Sequence, residues 1–303
     1  MDDIQERSES EGNKFFPHIS DDLRPDEVGS PPSSPTVPCS TVLRTSDWGS
    51  NNIPARVATE GREPKKDIGV LKEFDMSIFS DTRHTYKSMI IGRRSTGKTH
   101  LITEILNHQQ TPKENTTIIY CTKKEGEHYS NSFNGAVLHD RFEYSMIQDA
   151  IKQIKQTIKM EKDGYERGQI EPSKYTIVLD NCMYEHDFYK NKEIQILFMN
   201  GCVFRINMII SLNYPNGIPP NLRVNLDYTF IFYDPDYSYR KRIWEKYVYE
   251  FLSLDKFNDI MAQLINPYEC LVVKSSESRS KKLDDILSVI LYTKTDDERG
   301  VIR

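Results

Sequence analysis

The stretch SMIIGRRSTGKTHLITEIL, residues 88–106, constrains the fold of this chain more than any other. It opens as a short apolar run and breaks into Gly92-Arg93-Arg94-Ser95-Thr96-Gly97-Lys98-Thr99. It then continues with Ile102, Ile105 and Leu106 on one helical face. A strand, a glycine-bounded loop and an amphipathic helix, in that order, are the context in which G-x-x-x-x-G-K-[ST] cradles phosphate. Gly92 and Gly97 permit a tight turn, so that backbone N–H groups and the helix N-terminus point at an anion. In that arrangement Lys98 bridges β- and γ-phosphate oxygens and Thr99 ligates a magnesium ion. ATP and Mg2+ are therefore the expected ligands, and Gly92, Arg93, Arg94, Ser95, Thr96, Gly97, Lys98 and Thr99 the binding loop.

The chain has 303 residues, 37 % of them hydrophobic, enough for a large domain with its own core. A formal net charge of −5 argues against coating a polyanion by bulk charge, so any nucleic acid has to be gripped locally. The basic clusters Lys123-Lys124, Arg240 to Arg242 and Lys281-Lys282 are each short enough to be ordinary surface. Cys39, Cys121, Cys182, Cys202 and Cys270 are widely spaced, without metal-ligand spacing or a secretory signal, which predicts a reducing, intracellular setting. No apolar run reaches the roughly 20 residues that cross a bilayer, so a soluble chain is expected.

Two segments differ in texture. Residues 1–66 are rich in Ser, Pro, Asp and Glu, as in DEVGSPPSSPTVPCST, and carry no period able to bury a face. They read as a disordered N-terminal arm, either a solvated tail or a docking segment with Trp48 as its anchor. Residues 67–303 alternate apolar runs with helical patterns, which predicts an α/β domain with a mostly parallel sheet flanked by helices. The expected strands are 87–91, 116–121, 174–180, 206–212, 228–233 and 269–274. Ile147, Ile151, Ile154 and Ile158 form one apolar stripe on a helix whose other side, with Lys152, Lys155, Lys159 and Lys162, is a solvated face. A second helix is expected over 238–252, with Trp244, Tyr247, Val248 and Phe251 inward and the cations Arg240 to Arg242 against the dipole at its start.

A phosphate loop needs an acid at the end of a neighbouring buried strand, and YTIVLDNCMYE supplies Asp180 as the Walker B aspartate and second Mg2+ ligand. The next position, often a second carboxylate that deprotonates water, is Asn181, which orients water but takes no proton. Either Glu185 or Asp187 substitutes, or Asn181 only positions water. Asn213, closing the strand in NMIISLNYPNG, is either a sensor facing the γ-phosphate or a turn residue. Arg223, in a Pro-bounded loop, is the first candidate for an arginine reaching a neighbouring subunit's phosphate, and Arg205 is the second.

With these motifs and the segments YPNGIPPNLRVNLDY and NPYECLVV in view, residues 67–292 resemble the genome-packaging ATPases of nucleocytoplasmic large DNA viruses, a branch of the FtsK-HerA superfamily. The resemblance implies a RecA-like P-loop NTPase core, a homo-oligomeric ring and ATP hydrolysis that drives double-stranded DNA into a preformed capsid. It matches Gly92, Gly97, Lys98 and Thr99 to the family's Walker A, Asp180 to its Walker B acid and Asn213 to a polar sensor, and implies capsid or membrane-associated virion proteins as partners. This chain departs from it at Asn181, where an acid is often expected, and of the two arginines Arg223 is preferred for catalysis in trans because of its Pro-bounded loop. The expected setting is the viral factory in the host cytoplasm, with virion association. The alternative is a hydrolysis-impaired module that binds nucleotide only to order an assembly. A small-molecule kinase would need a basic lid and base-binding motifs that the sequence does not display.

Overall fold

The computed structural model describes residues 71–291 apart from 82, 167–171, 183–186, 216–217, 276–279 and 281. The N-terminal arm with Cys39 and Trp48, the candidate Glu185 and Lys281 lie outside the described residues. The strands are β1 (Lys72–Glu73), β2 (Lys87–Ile91), β3 (Thr116–Ile119), β4 (Val137–His139), β5 (Tyr175–Asp180), β6 (Ile206–Leu212), β7 (Tyr228–Phe232), β8 (Cys270–Lys274) and β9 (Leu287–Ile290). They form one sheet in the order β1-β9-β8-β7-β2-β6-β5-β3-β4. Only β8 runs against its neighbours, so the sheet is mostly parallel, as expected.

The central strands are buried along their whole length because both faces are covered. Successive side chains of a strand point to opposite faces, and the core divides accordingly. Met89, Ile91, Ile177, Leu179, Met208 and Ile210 belong to one apolar cluster, whereas Ile90, Val178 and Ile209 belong to the other. The second cluster is closed by Leu101, Ile102 and Ile105 of α1 (Lys98–His108), while α2 (Lys123–Ser132) adds Tyr129. The first is closed by Ile147, Ile151 and Ile154 of α3 (Tyr144–Glu166), with Ile194, Leu197 and Phe198 of α4 (Lys192–Asn200). This is the α/β, RecA-like P-loop NTPase core expected from the sequence.

Three differences have identifiable causes. The short strands β1, β4 and β9 were not anticipated, since two to four residues cannot display a period and β1 and β4 are largely solvent-facing. The strand carrying Asp180 is not next to the strand before the loop, because β6 pairs with both β2 and β5 and lies between them. Arrangement across a sheet is not encoded in the period of any one strand.

The third difference concerns 238–252. A four-residue turn of helix, α5 (Pro220–Arg223), precedes β7, and the long helix expected after β7 is instead α6 (Tyr237–Ile243), followed by a π-helical turn at Trp244–Val248. Tyr247 and Val248 are buried as the stripe predicts. Asp236 caps α6 by accepting from the Ser238 backbone N–H, which offsets the cations nearby. Arg240 is spent internally, donating to Asn258 Oδ1 at 2.8 Å and to the Asp234 carbonyl at 2.7 Å. After it come α7 (Leu254–Met261) and β8.

Candidate active site

Parallel strands deliver their C-terminal ends to one edge, and the register places Gly92 after β2, Asp180 at the end of β5, and Asn213 after β6 on that edge. The loop between β2 and α1 is built from within. Gly92 N–H donates to Leu212 O at 3.1 Å, Thr96 Oγ1 to Arg93 O at 2.9 Å, and Leu101 N–H to Gly97 O at 2.9 Å. Ser95 and Gly97 take positive φ, 62° and 108°, the turn that leaves the following N–H groups open towards an anion. Gly97 caps α1 in the left-handed region, and a Cβ there would sit 2.7 Å from the Tyr268 ring and 3.2 Å from its backbone. Gly97→Ala is therefore expected to cost at least about 1–2 kcal/mol of stability, read as a lowered urea midpoint, and to weaken nucleotide binding with it.

Lys98 is buried at 5 % exposure. Its ammonium donates to Gly92 O and Arg93 O at 2.8 Å each and to Asn213 Oδ1 at 2.9 Å. Burial pushes the ammonium below its ordinary pKa, and the carboxylates of Asp180 and Glu125 pull it back up. Asn213 thus joins the loop lysine through its side chain, beyond any role in the turn that follows.

Asp180 is fully buried. It accepts from Thr99 Oγ1 at 3.0 Å, from the Tyr129 hydroxyl at 2.8 Å and from Ser211 Oγ. Burial and the nearby Glu125 charge raise its pKa, while these three donors favour the carboxylate. Burial keeps the Tyr129 phenol protonated well above the ordinary range, so that it stays a donor. Thr99 and Asp180 are hard oxygen ligands on adjoining elements, and a magnesium ion needs few protein ligands when phosphates and water complete its shell. The donor set fits Mg2+.

Asn181 sits at φ 56°, its N–H bonded to Ser211 Oγ at 3.0 Å and its side-chain Nδ2 to Glu125 Oε1 at 2.9 Å. Its Oδ1 is buried without a partner among the described residues. Glu125 is the carboxylate that the sequence reading missed. It lies on α2 just after β3, the strand beside β5. Its other oxygen, Oε2, closes a capping box by accepting from Thr122 N–H at 3.1 Å, while Thr122 Oγ1 accepts from Glu125 N–H at 3.3 Å. The T-x-x-E signature of Thr122 and Glu125 marks the helix start in the sequence; its placement against Asn181 needs the sheet order.

Other expected residues are distributed differently. Asp187 is exposed and paired with Lys190 at 2.8 Å. Arg93 is clamped at 2.6 Å to the buried carboxylate of Asp234, just past β7, which anchors the loop on that flank; Arg94 is exposed. Arg223 lies over the Tyr247 ring at 5.4 Å. Arg205, directly before β6, is at the opposite edge of the sheet and pairs with Glu161 at 3.2 Å. The four described cysteines are free thiols, and Cys121 and Cys182 approach to 3.8 Å beside the site.

A glycine-bounded loop between a buried parallel strand and a helix N-terminus, facing an aspartate and an asparagine from nearby strands, defines the P-loop NTPase class of fold. No protein-family model matches the sequence. Sequence relatives include protein L437 of Acanthamoeba polyphaga mimivirus, 22 % identical over 65 % of this chain and 70 % of its own length. Protein 075L of Invertebrate iridescent virus 6 is 25 % identical over 68 % of this chain and 79 % of its own. The genome packaging NTPase B204 of Sulfolobus turreted icosahedral virus 2, solved with AMPPCP, aligns with a TM-score of 0.49 and 13 % identity over 69 % of this chain and 98 % of its own. The pCW3 conjugation coupling protein TcpA, solved with ATPgS, aligns at 0.49 and 10 % identity over 77 % and 72 %. The resemblance read from the sequence is met by sequence relatives from a mimivirus and an iridescent virus, both nucleocytoplasmic large DNA viruses.

Proposed function

We propose that this protein is a viral DNA-packaging ATPase, which hydrolyses ATP to move double-stranded DNA into a preformed capsid. The observation that carries the ATPase reading is the convergence of Lys98, Thr99, Asp180, Asn213 and the Asn181–Glu125 pair on one edge of the sheet. The packaging reading is supported by the YPNGIPPNLRVNLDY and NPYECLVV segments and by the viral origin of the sequence relatives.

In this reading residues 92–99 hold the triphosphate through backbone N–H groups, and Lys98 supplies the countercharge between its β- and γ-phosphates. Thr99 and Asp180 hold Mg2+, which when bound neutralises phosphate charge. Asn213, already bonded to Lys98, senses the γ-phosphate. Glu125 accepts the proton of the attacking water, and Asn181, bonded to that carboxylate, positions it. The carboxylate that Asn181 lacks is supplied by Glu125, which favours hydrolysis over a module that binds nucleotide only to order an assembly. The motor acts as a homo-oligomeric ring, with Arg223 in trans rather than Arg205, since Arg205 is tied to Glu161. The arm, residues 1–66, docks capsid or membrane-associated virion proteins in the viral factory. No described helix is long and apolar enough to cross a membrane.

DNA gripped through its phosphates makes stimulation sequence-indifferent and salt-dependent. Steady-state hydrolysis by the assembled protein is expected to rise on adding duplex DNA of any sequence, with the stimulation falling by orders of magnitude in apparent DNA affinity between about 50 and 200 mM salt. Turnover indifferent to DNA in a sample shown to be assembled would remove the packaging reading and leave the ATPase.

A further inference from the structure

The direction of the bound triphosphate follows from the sheet order. The groups that act on the γ-phosphate, Asp180, Asn181, Asn213 and Glu125, all come from β5, β6 and the end of β3, on one side of β2. With a β-phosphate held by the loop, the side towards β7 and β8 is the one left for the nucleoside. Because β8 is antiparallel, Cys270 at its start pairs with Phe232 at the end of β7, and the segment entering β8 crosses the phosphate-binding edge.

That segment carries Tyr268. Its backbone is left-handed at φ 72°, a conformation sparsely populated by bulky residues and held here by a hydrogen bond from Tyr268 N–H to Thr96 O at 3.1 Å. The half-buried ring is thereby placed over Gly97 and meets the His100 ring at a centroid distance of 4.9 Å and an angle of 68°. His100 is the third residue of α1, directly after the phosphate loop, on the side left for the nucleoside. Strained residues of this kind cluster at ligand sites, where the strain is part of the mechanism.

We propose that Tyr268, backed by His100, is the stacking platform for the nucleobase of the bound nucleoside triphosphate. The inference rests on residues 92–99 being a triphosphate site, and it adds the subsite that separates a nucleotide from a bare polyphosphate. Stacking uses the π-face of the base, which every nucleobase has.

The test is calorimetric titration of the full chain with a non-hydrolysable ATP analogue and, separately, with inorganic tripolyphosphate, both with Mg2+, on wild type, Tyr268→Phe, Tyr268→Leu and Tyr268→Ala. Tyr268→Leu keeps apolar bulk against Gly97 without an aromatic face. Leu and Ala variants are expected to bind the ATP analogue about 10-fold more weakly and tripolyphosphate within about two-fold of wild type, while Phe retains both affinities. Parallel loss of both ligands in Tyr268→Leu would overturn the proposal and make Tyr268 a support of the loop. Unchanged ATP affinity in both the Leu and Ala variants would overturn it as well. Wild type that binds neither ligand would remove the triphosphate site itself, a result distinct from either.

Discussion

Glu125→Gln is expected to lower the ATP turnover number by about 10²- to 10⁴-fold, the range that positioned general base catalysis contributes, while nucleotide affinity stays within a few-fold of wild type. Glutamine is accepted at the third helical position of a capping box, its amide oxygen taking the Thr122 N–H bond that Oε2 holds in the carboxylate. Its NH2 group then faces Asn181, whose amide has to turn to offer Oδ1 in place of the Nδ2 that bonds Glu125 Oε1 at 2.9 Å. The ability to take a proton is lost. Single-turnover phosphate release checks the effect on chemistry directly. If Glu125→Gln turns over at the wild-type rate, the base lies elsewhere.

The second large effect is expected at Lys98. Lys98→Ala removes a buried ammonium that ties together Gly92 O, Arg93 O and Asn213 Oδ1, and with it the charge that meets the β- and γ-phosphates. Loss of one preorganised charge donor typically costs about 10²–10³ in rate, and here ground-state binding falls too, so kcat/KM declines further than kcat. Lys98→Arg is not a rescue, because a planar fork does not fit a niche built around a point charge. Equilibrium binding and steady-state kinetics on the same preparations separate the two contributions.

How far the site was legible in the sequence depends on which residues carry local signals. The loop from Gly92 to Thr99 was readable because glycine spacing, an apolar strand and an amphipathic helix are all contained within residues 88–106. Asp180 was readable for the same reason, as a charge ending the run Tyr175–Leu179. Asn213 was ambiguous, since a strand-ending asparagine before Tyr-Pro-Asn-Gly satisfies a turn and a sensor equally; the Lys98 contact decides its placement. Glu125 was invisible as a partner of Asn181, because the two are 56 positions apart and meet only through the β3–β5 pairing. Of the acids after Asp180 that could substitute, Asp187 is exposed and paired with Lys190, and Glu185 lies outside the described residues.

Tyr268 shows a different kind of blindness. A left-handed residue is normally announced by glycine or asparagine, and a tyrosine there gives no warning in the sequence. The π-helical turn at Trp244–Val248 is similar, because the apolar stripe over 244–251 suits an ordinary helix as well. The fold class survived both, since it depends on the continuous burial of β2, β5 and β6, which apolar runs of five to seven residues express directly.

The most direct test of the central claim, that this edge of the sheet hydrolyses ATP, is phosphate release from ATP with Mg2+ by wild type and Lys98→Ala at matched assembly states. The expected result is multiple turnover in wild type and loss of about two orders of magnitude or more in the variant. Tight ATP binding by wild type without turnover, or turnover that Lys98→Ala leaves intact, would contradict it.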